Sequence, residues 1–317
     1  MNKIMGSLAA ASLMFTLNSC EQSEMGKMED ENLTMSIQAN IGTSKLMQGR
    51  YAGDTPDAVN FAENDQIGLF IGEASPLKWT YSQSVWKTEK IIYWQNKTDA
   101  FDFSAFYPYV EGADYAAIPM PDLKNQAGTL ADVSAHDFLV AKTNQPYGED
   151  GAVKFTGEHA FKHVSALIQL TMDGTGDLQG ANLKNIQLRG TDIVSNTQYS
   201  FATNKATLKG GEKAETGNQL VATLADGTVT GQKVYYLLVN AVEGSGTIHL
   251  SVSYESKGST YKTPEVALPV ETYLSGTRYA FKLAIRDAHL KISEAQIGPW
   301  TDGGHFDDIQ MDGNKVE

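Results

Sequence analysis

His159 and His163 stand four residues apart, the spacing that puts two imidazoles on one side of a helix and lets them share a metal ion. The segment around them reads as a strand instead. There, positions 159, 161 and 163 share a face, and Phe161 separates the two rings. No cysteine accompanies them and no His-Glu-x-x-His pattern occurs, so no metal or other cofactor is expected, and His163 reads as a hydrogen-bonded structural residue. Asp173-Gly-Thr-Gly-Asp177 has the outline of a calcium loop but lacks further acidic ligands and a closing glutamate, which leaves a turn. Asp302, Asp307 and Asp308 supply carboxylates, yet nothing holds two of them at the separation that glycoside hydrolysis requires. The sequence contains no Gly-x-Ser-x-Gly elbow and no Walker loop. No catalytic set emerges, and the chain is expected not to be an enzyme.

Two single residues carry a different chemistry. Cys20 is the only cysteine of the chain, so no intrachain disulfide can form. It follows Lys3, the apolar run Leu8–Leu17 and Asn18-Ser19, which together have the n-region and h-region of an export signal. Small residues before a cysteine at that point resemble a bacterial lipobox. The resemblance implies cleavage after residue 19, lipid attachment at Cys20 and an anchor in the outer membrane. Residues 20–32 are acidic and without apolar periodicity, a flexible tether; acidic residues after a lipidated cysteine are similar to a surface-export signal. The second residue is Arg50. It is the only arginine before Arg189 and sits in a Gly-rich polar stretch that reads as loop.

Aromatic side chains offer one more function. Trp79, Tyr81, Trp86, Tyr93 and Trp94 cluster in sequence, and flat rings of this kind can stack on sugars, with Trp79, Trp86 and Trp94 as the stacking set. The other reading pairs these residues across neighbouring strands in a core, which their alternating positions favour.

The elements that must position all of this are strands. The 317 residues carry 41% apolar residues, 29 glycines and a net charge of -13. That length can bury a sizeable core without disulfides, and that charge repels nucleic acid and anionic bilayers. Leu33, Met35, Ile37, Ala39 and Ile41 alternate with polar residues, the pattern of a strand with one buried face. Further strand-like runs follow at Asp65–Ile71, Lys90–Trp94, Phe101–Tyr109, Asp137–Lys142, Val164–Met172, Lys184–Leu188, Val234–Asn240, Ile248–Tyr254, Arg278–Ile285 and Leu290–Ile297. Glu111–Ala135 reads as loop with a short helix over Ala127–Ala135. Short strands at this spacing, punctuated by Gly turns, predict an all-β protein. The two series divide as one β-sandwich over residues 33–154 and a second over residues 155–317.

Several pieces, in order, resemble the fimbrillin family, the subunits and accessory proteins of type V pili. They are the lipobox-like leader, Phe61 followed by Asn64-Asp-Gln-Ile-Gly-Leu-Phe70, and Phe103-Ser-Ala-Phe-Tyr-Pro108. Phe161-Lys-His163, Leu274-Ser-Gly276, Arg278-Tyr-Ala-Phe281 and Trp300 complete the set. The resemblance implies two tandem transthyretin-like β-sandwich domains after a lipoprotein signal peptide. It implies a structural or adhesive role at the cell surface, in a fimbrium, with other pilus subunits and a host or bacterial surface receptor as partners. It also implies an arginine-directed cut, with Arg50 near the family's position, that removes Leu33–Ile41 and opens a groove for another subunit's strand. In the other reading Arg50 is an exposed loop residue and the strand stays. The tail residues Phe306, Ile309, Met311 and Val316 alternate poorly for a donor strand, which leaves stalk, tip and anchor positions all open. The alternative function is a non-polymerising surface lipoprotein that binds glycans through its aromatic residues.

Overall fold

The computed structural model describes residues 33–42, 60–211, 217–225, 227–241, 246–300 and 307–309. Cys20 and Arg50 therefore lie outside the described residues, as do Phe306, Met311 and Val316. In chain order the first strands are β1 (Ser36–Ala39), β2 (Gln66–Ile71), β3 (Leu77–Ser82), β4 (Val85–Lys87), β5 (Phe101–Tyr107) and β6 (Ile118–Pro119). Helix α1 (Leu130–His136) comes next, then β7 (Leu139–Gln145), β8 (Ala152–Phe155) and β9 (Lys162–His163). Thr129 caps α1 by accepting from the Asp132 N–H, so the helix starts at Leu130, three residues after the expected Ala127.

Six of these strands form one sheet in the order β4-β3-β2-β5-β7-β9. Its middle strands are buried on both faces: β2 is apolar throughout Ile67–Ile71, and β5 buries the four consecutive residues Phe103–Phe106. Ile67, Leu69, Phe103 and Ala105 point into one core, while Phe70 and Phe106 point into another. Gly68 lies opposite Phe106 in the ladder, and a β-carbon at that position would overlap the Phe106 ring. Glycine here is a packing requirement.

The later strands are β10 (Ala166–Asp173), β11 (Asn182–Gly190), β12 (Thr197–Ser200), β13 (Lys205–Leu208), β14 (Asn218–Thr223) and β15 (Gln232–Val239). They continue with β16 (His249–Ser256), β17 (Ser259–Lys262), β18 (Val266–Ala267), β19 (Thr277–Arg286), β20 (His289–Pro299) and β21 (Asp307–Ile309). Two sheets, β15-β10-β19-β20-β21 and β14-β11-β16-β17 with β18 on β16, contribute to one core of alternating apolar residues. A small sheet, β13-β12-β6, places Ile118, Tyr199 and Phe201 in the same core as Phe70 and Phe106.

The expected division at 154/155 falls inside β8, and it is not where the sheets separate. β9 closes the six-stranded sheet, and Tyr199 and Phe201 enter the core on that sheet's second face. Leu123 and Val133 in turn enter the later core. Both-face burial of β2 and β5 is the physical reason, since an apolar second face needs a covering layer and later chain provides it.

Gly68→Ala forces the Phe106 ring to move and should cost about 1–3 kcal/mol in urea unfolding. Gly68→Ala combined with Phe106→Leu should recover part of that loss. Additive losses in the double variant would show that the ring is not what excludes the β-carbon.

Candidate functional site

β1 lies in a slot between two segments of opposite direction. On one side it runs parallel to β8, with Ser36 opposite Ala152, Ile37 opposite Val153, Gln38 opposite Lys154 and Ala39 opposite Phe155. The Ser36 N–H donates to Gly151 O at 3.2 Å and the Asn40 N–H to Phe155 O at 3.0 Å. Past the strand, the Phe161 N–H donates to Asn40 O at 2.9 Å and the Gly42 N–H to Phe161 O at 3.0 Å. On the other side Thr34 bridges Tyr93 in antiparallel fashion. There the Met35 N–H donates to Ile92 O at 2.8 Å and the Trp94 N–H to Leu33 O at 2.9 Å. The run Lys90–Trp94, read from sequence as a strand, serves here as an extended wall of the slot.

The alternation of 33–41 sets which side chains fill that slot. Met35, Ile37 and Ile41 are 5%, 7% and 1% exposed, and Leu33 and Ala39 pack partly buried on the same cluster. Ser36, Gln38 and Asn40 face solvent. Gln38 Nε2 donates to Asp150 Oδ2 at 2.9 Å, and Lys154 Nζ lies 3.2 Å from the same oxygen. The Ala152 N–H, and behind it Lys154, hold the Asp150 carboxyl below its ordinary value.

The floor of the slot is aromatic. Phe61 meets Trp86 edge-on with centroids 4.9 Å apart and Phe161 at 5.1 Å, and Phe155 meets Phe161 at 5.6 Å. Trp94 Nε1 donates to Gly151 O at 2.9 Å. Trp79, Trp86 and Trp94 are 2%, 7% and 3% exposed. The sugar-stacking set is therefore core: a stacking platform needs open ring faces, and these indoles are covered by each other's neighbours and by β1. Ile41 and Phe61, the nearest described apolar residues before and after the stretch that carries Arg50, lie in one apolar cluster.

The remaining sequence sites are structural. His163 Nδ1 pairs with Asp137 Oδ2 at 2.9 Å, both side chains at most 1% exposed, and its ring stacks on Trp300 at 3.6 Å and 14°. His159 is exposed and bonds Lys142 O at 3.0 Å. Asp173 and Asp177 cap backbone amides of Thr175 and Ala288. Among the described residues no group of three His, Cys, Asp or Glu side chains could hold a metal ion. Burial, with Tyr115 beside it, pushes the Tyr199 hydroxyl up to about 12. Sequence reasoning missed the partners of β1: β8 and Phe161 lie more than a hundred residues away, and their pairing left no local signal.

Residues 49–300 match the fimbrillin-like family. The chain belongs to that family. No curated protein matches it significantly in sequence. The fimbrillin-like fold is shared with a proposed cell adhesion protein from Bacteroides uniformis at 18% identity and a TM-score of 0.59, covering 84% of this chain and 99% of the other. A proposed cell adhesion protein from Bacteroides ovatus aligns at 16% identity and a TM-score of 0.55, covering 86% of this chain and 99% of the other.

The slot makes a signed prediction. Met35→Asp or Ile37→Asp buries an unpaired charge and should destabilise the protein by several kcal/mol, about 2–5, in denaturant unfolding. Ser36→Asp on the solvent side should be nearly neutral. Equal effects on the two faces would contradict the register.

Proposed function

We propose that this chain is a structural or adhesive subunit of a pilus at the bacterial surface, without enzymatic activity, assembled with other subunits through the slot that β1 fills. The observation that carries the reading is the occupancy of that slot. A single short strand, with a sequence-distant loop behind it, completes an aromatic core and supplies the missing ladder on both walls. Family membership supports the pilus role, and the likeness to proposed cell adhesion proteins is consistent with it.

Strand exchange at this slot is the finer proposal. Cutting at Arg50 severs β1 from residues 60–300 while leaving it seated. Three buried side chains, at about 1.5–3 kcal/mol each, put about 5–9 kcal/mol of burial at stake, and both walls lose backbone partners if the slot empties. A strand from another subunit restores both terms, which is β-augmentation. Lipidation of Cys20 would hold the chain at the outer membrane during assembly, since acyl chains supply the attachment.

The test uses the full chain and an arginine-specific protease. Wild type should be cut after Arg50 with β1 retained, and Arg50→Ala should resist that cut. A labelled peptide of residues 33–41 should then exchange into cut protein and not into uncut protein. Cut protein that takes up no peptide, even when incubated near its unfolding midpoint, would overturn strand exchange. Cys20→Ser should abolish lipid labelling in the producing cell; a variant that stays lipid-labelled would contradict Cys20 as the attachment site.

A further inference from the structure

β15 is the outer strand of its five-stranded sheet, and Val234-Tyr-Tyr-Leu-Leu-Val239 is an uncharged, β-prone run of six. An edge of this kind pairs readily with the same edge of a second copy. Among the described residues no strand covers it, yet three of its outward groups are met. The Tyr236 N–H donates to Gly128 O at 3.0 Å. The Leu238 N–H donates to Gln126 Oε1 at 2.7 Å, and Gln126 Nε2 donates back to Leu238 O at 2.8 Å. The side-chain amide of Gln126 thus stands where a peptide unit of a neighbouring strand would stand. It makes the donor–acceptor pair that such a strand makes.

The strap that carries this amide is fixed at both ends. Leu123 is 3% exposed in the core, and its carbonyl accepts a second bond from Gln126 Nε2 at 2.8 Å. The Ala127 N–H donates to Asp132 Oδ2 at 2.7 Å, which ties the strap to α1. Gln126 itself is 4% exposed. Burying a primary amide is costly unless its groups are matched, and here the match is to the strand edge. The same device recurs at β8, where Gln145 Nε2 donates to Ala152 O at 2.8 Å and its Oε1 accepts from the Lys154 N–H at 2.9 Å.

We infer that Gln126 is an edge guard: its amide occupies the hydrogen-bonding edge of β15 and so keeps that edge from adding a strand of a second copy of this chain. The guard acts whether or not β1 is exchanged. Beyond it, at the start of β15, stands Lys233, a charge of the kind that blunts strand edges, with Nζ donating to Thr228 O at 3.2 Å.

Sedimentation velocity across a concentration series, on the full chain, separates a guard from a plain stabiliser. Gln126→Leu keeps the apolar stem and removes both bonds to Leu238; Gln126→Asn keeps the amide one methylene too short to reach. Each should self-associate at least tenfold more tightly than wild type, with hydrogen exchange showing new protection confined to residues 232–240 in the associated form. A folded variant that loses stability but sediments as wild type at every concentration would overturn the guard and leave Gln126 a structural residue. Hydrogen exchange on wild type gives a test that needs no variant. The Leu238 amide should be protected as strongly as the Leu237 amide, which belongs to the ladder with β10, and rapid exchange at Leu238 alone would also overturn the inference.

Discussion

Everything in the first core depends on β1 being seated parallel to β8. Among the described residues these two strands form a sheet of their own, so β8 has β1 along one edge and only the Gln145 amide along the other. The pair roofs one face of the six-stranded sheet. Without Met35, Ile37 and Ile41, the indoles of Trp79 and Trp86 and the rings of Phe61 and Phe161 would line an open trough. The parallel sense matters as well. A parallel neighbour cannot come from a tight hairpin, so β1 and β8 must be joined by a long excursion, and β2 to β7 are that excursion.

A second constraint joins this core to the later one. His163 ends the six-stranded sheet, its imidazole held by Asp137 and stacked on Trp300, the residue that follows β20. The Trp300 N–H donates to Gly276 O at 2.8 Å, and the Gly276 N–H to Ser165 O at 3.0 Å. A buried imidazole–carboxylate pair and a buried indole therefore fix the start of β10 and β19 against the end of β9. Replacing either member of the pair would leave the other buried without its partner, an arrangement far costlier than an exposed ion pair.

Alternating side chains made much of this legible. The period of two across 33–41 identifies the buried face of β1, because a strand with one solvated face must alternate. The reading of His163 as a hydrogen-bonded residue agrees with its bond to Asp137, but His159 lies in a short 3-10 turn and does not share a strand face with it. The aromatic run was ambiguous because tryptophan suits a sugar platform and a core equally well. Only packing decides between them, and Trp79, Trp86 and Trp94 went inside. The Gly-containing stretch 148–157 suggests a division between two halves, but turns mark where strands end, not which sheet they join. Tyr199 and Phe201 cover a face built from Phe70, Phe106 and Phe138, and nothing local in any of these segments announces it. The parallel partner of β1 was hidden for the same reason.

The energetics of the slot bear on how β1 could leave. About 5–9 kcal/mol of burial is comparable with the whole stability of many domains, about 5–15 kcal/mol. A cut in residues 43–59 removes the high effective concentration that the chain connection supplies, but it removes none of the contacts. Spontaneous departure would expose the trough and strip both walls of hydrogen bonds at once, so on the strand-exchange proposal a cut strand would stay in place. An incoming strand that pairs first at one end can replace these contacts residue by residue and never opens the whole trough. Four residues laddered to β8, a few further backbone bonds at either end and three buried side chains are few enough for such stepwise replacement. The ten- and eleven-residue strands β19 and β20, paired along nearly their full length, are not. On the strand-exchange proposal the shortness of β1 would favour exchange over dissociation, and it sets this strand apart from the long ladders β19 and β20.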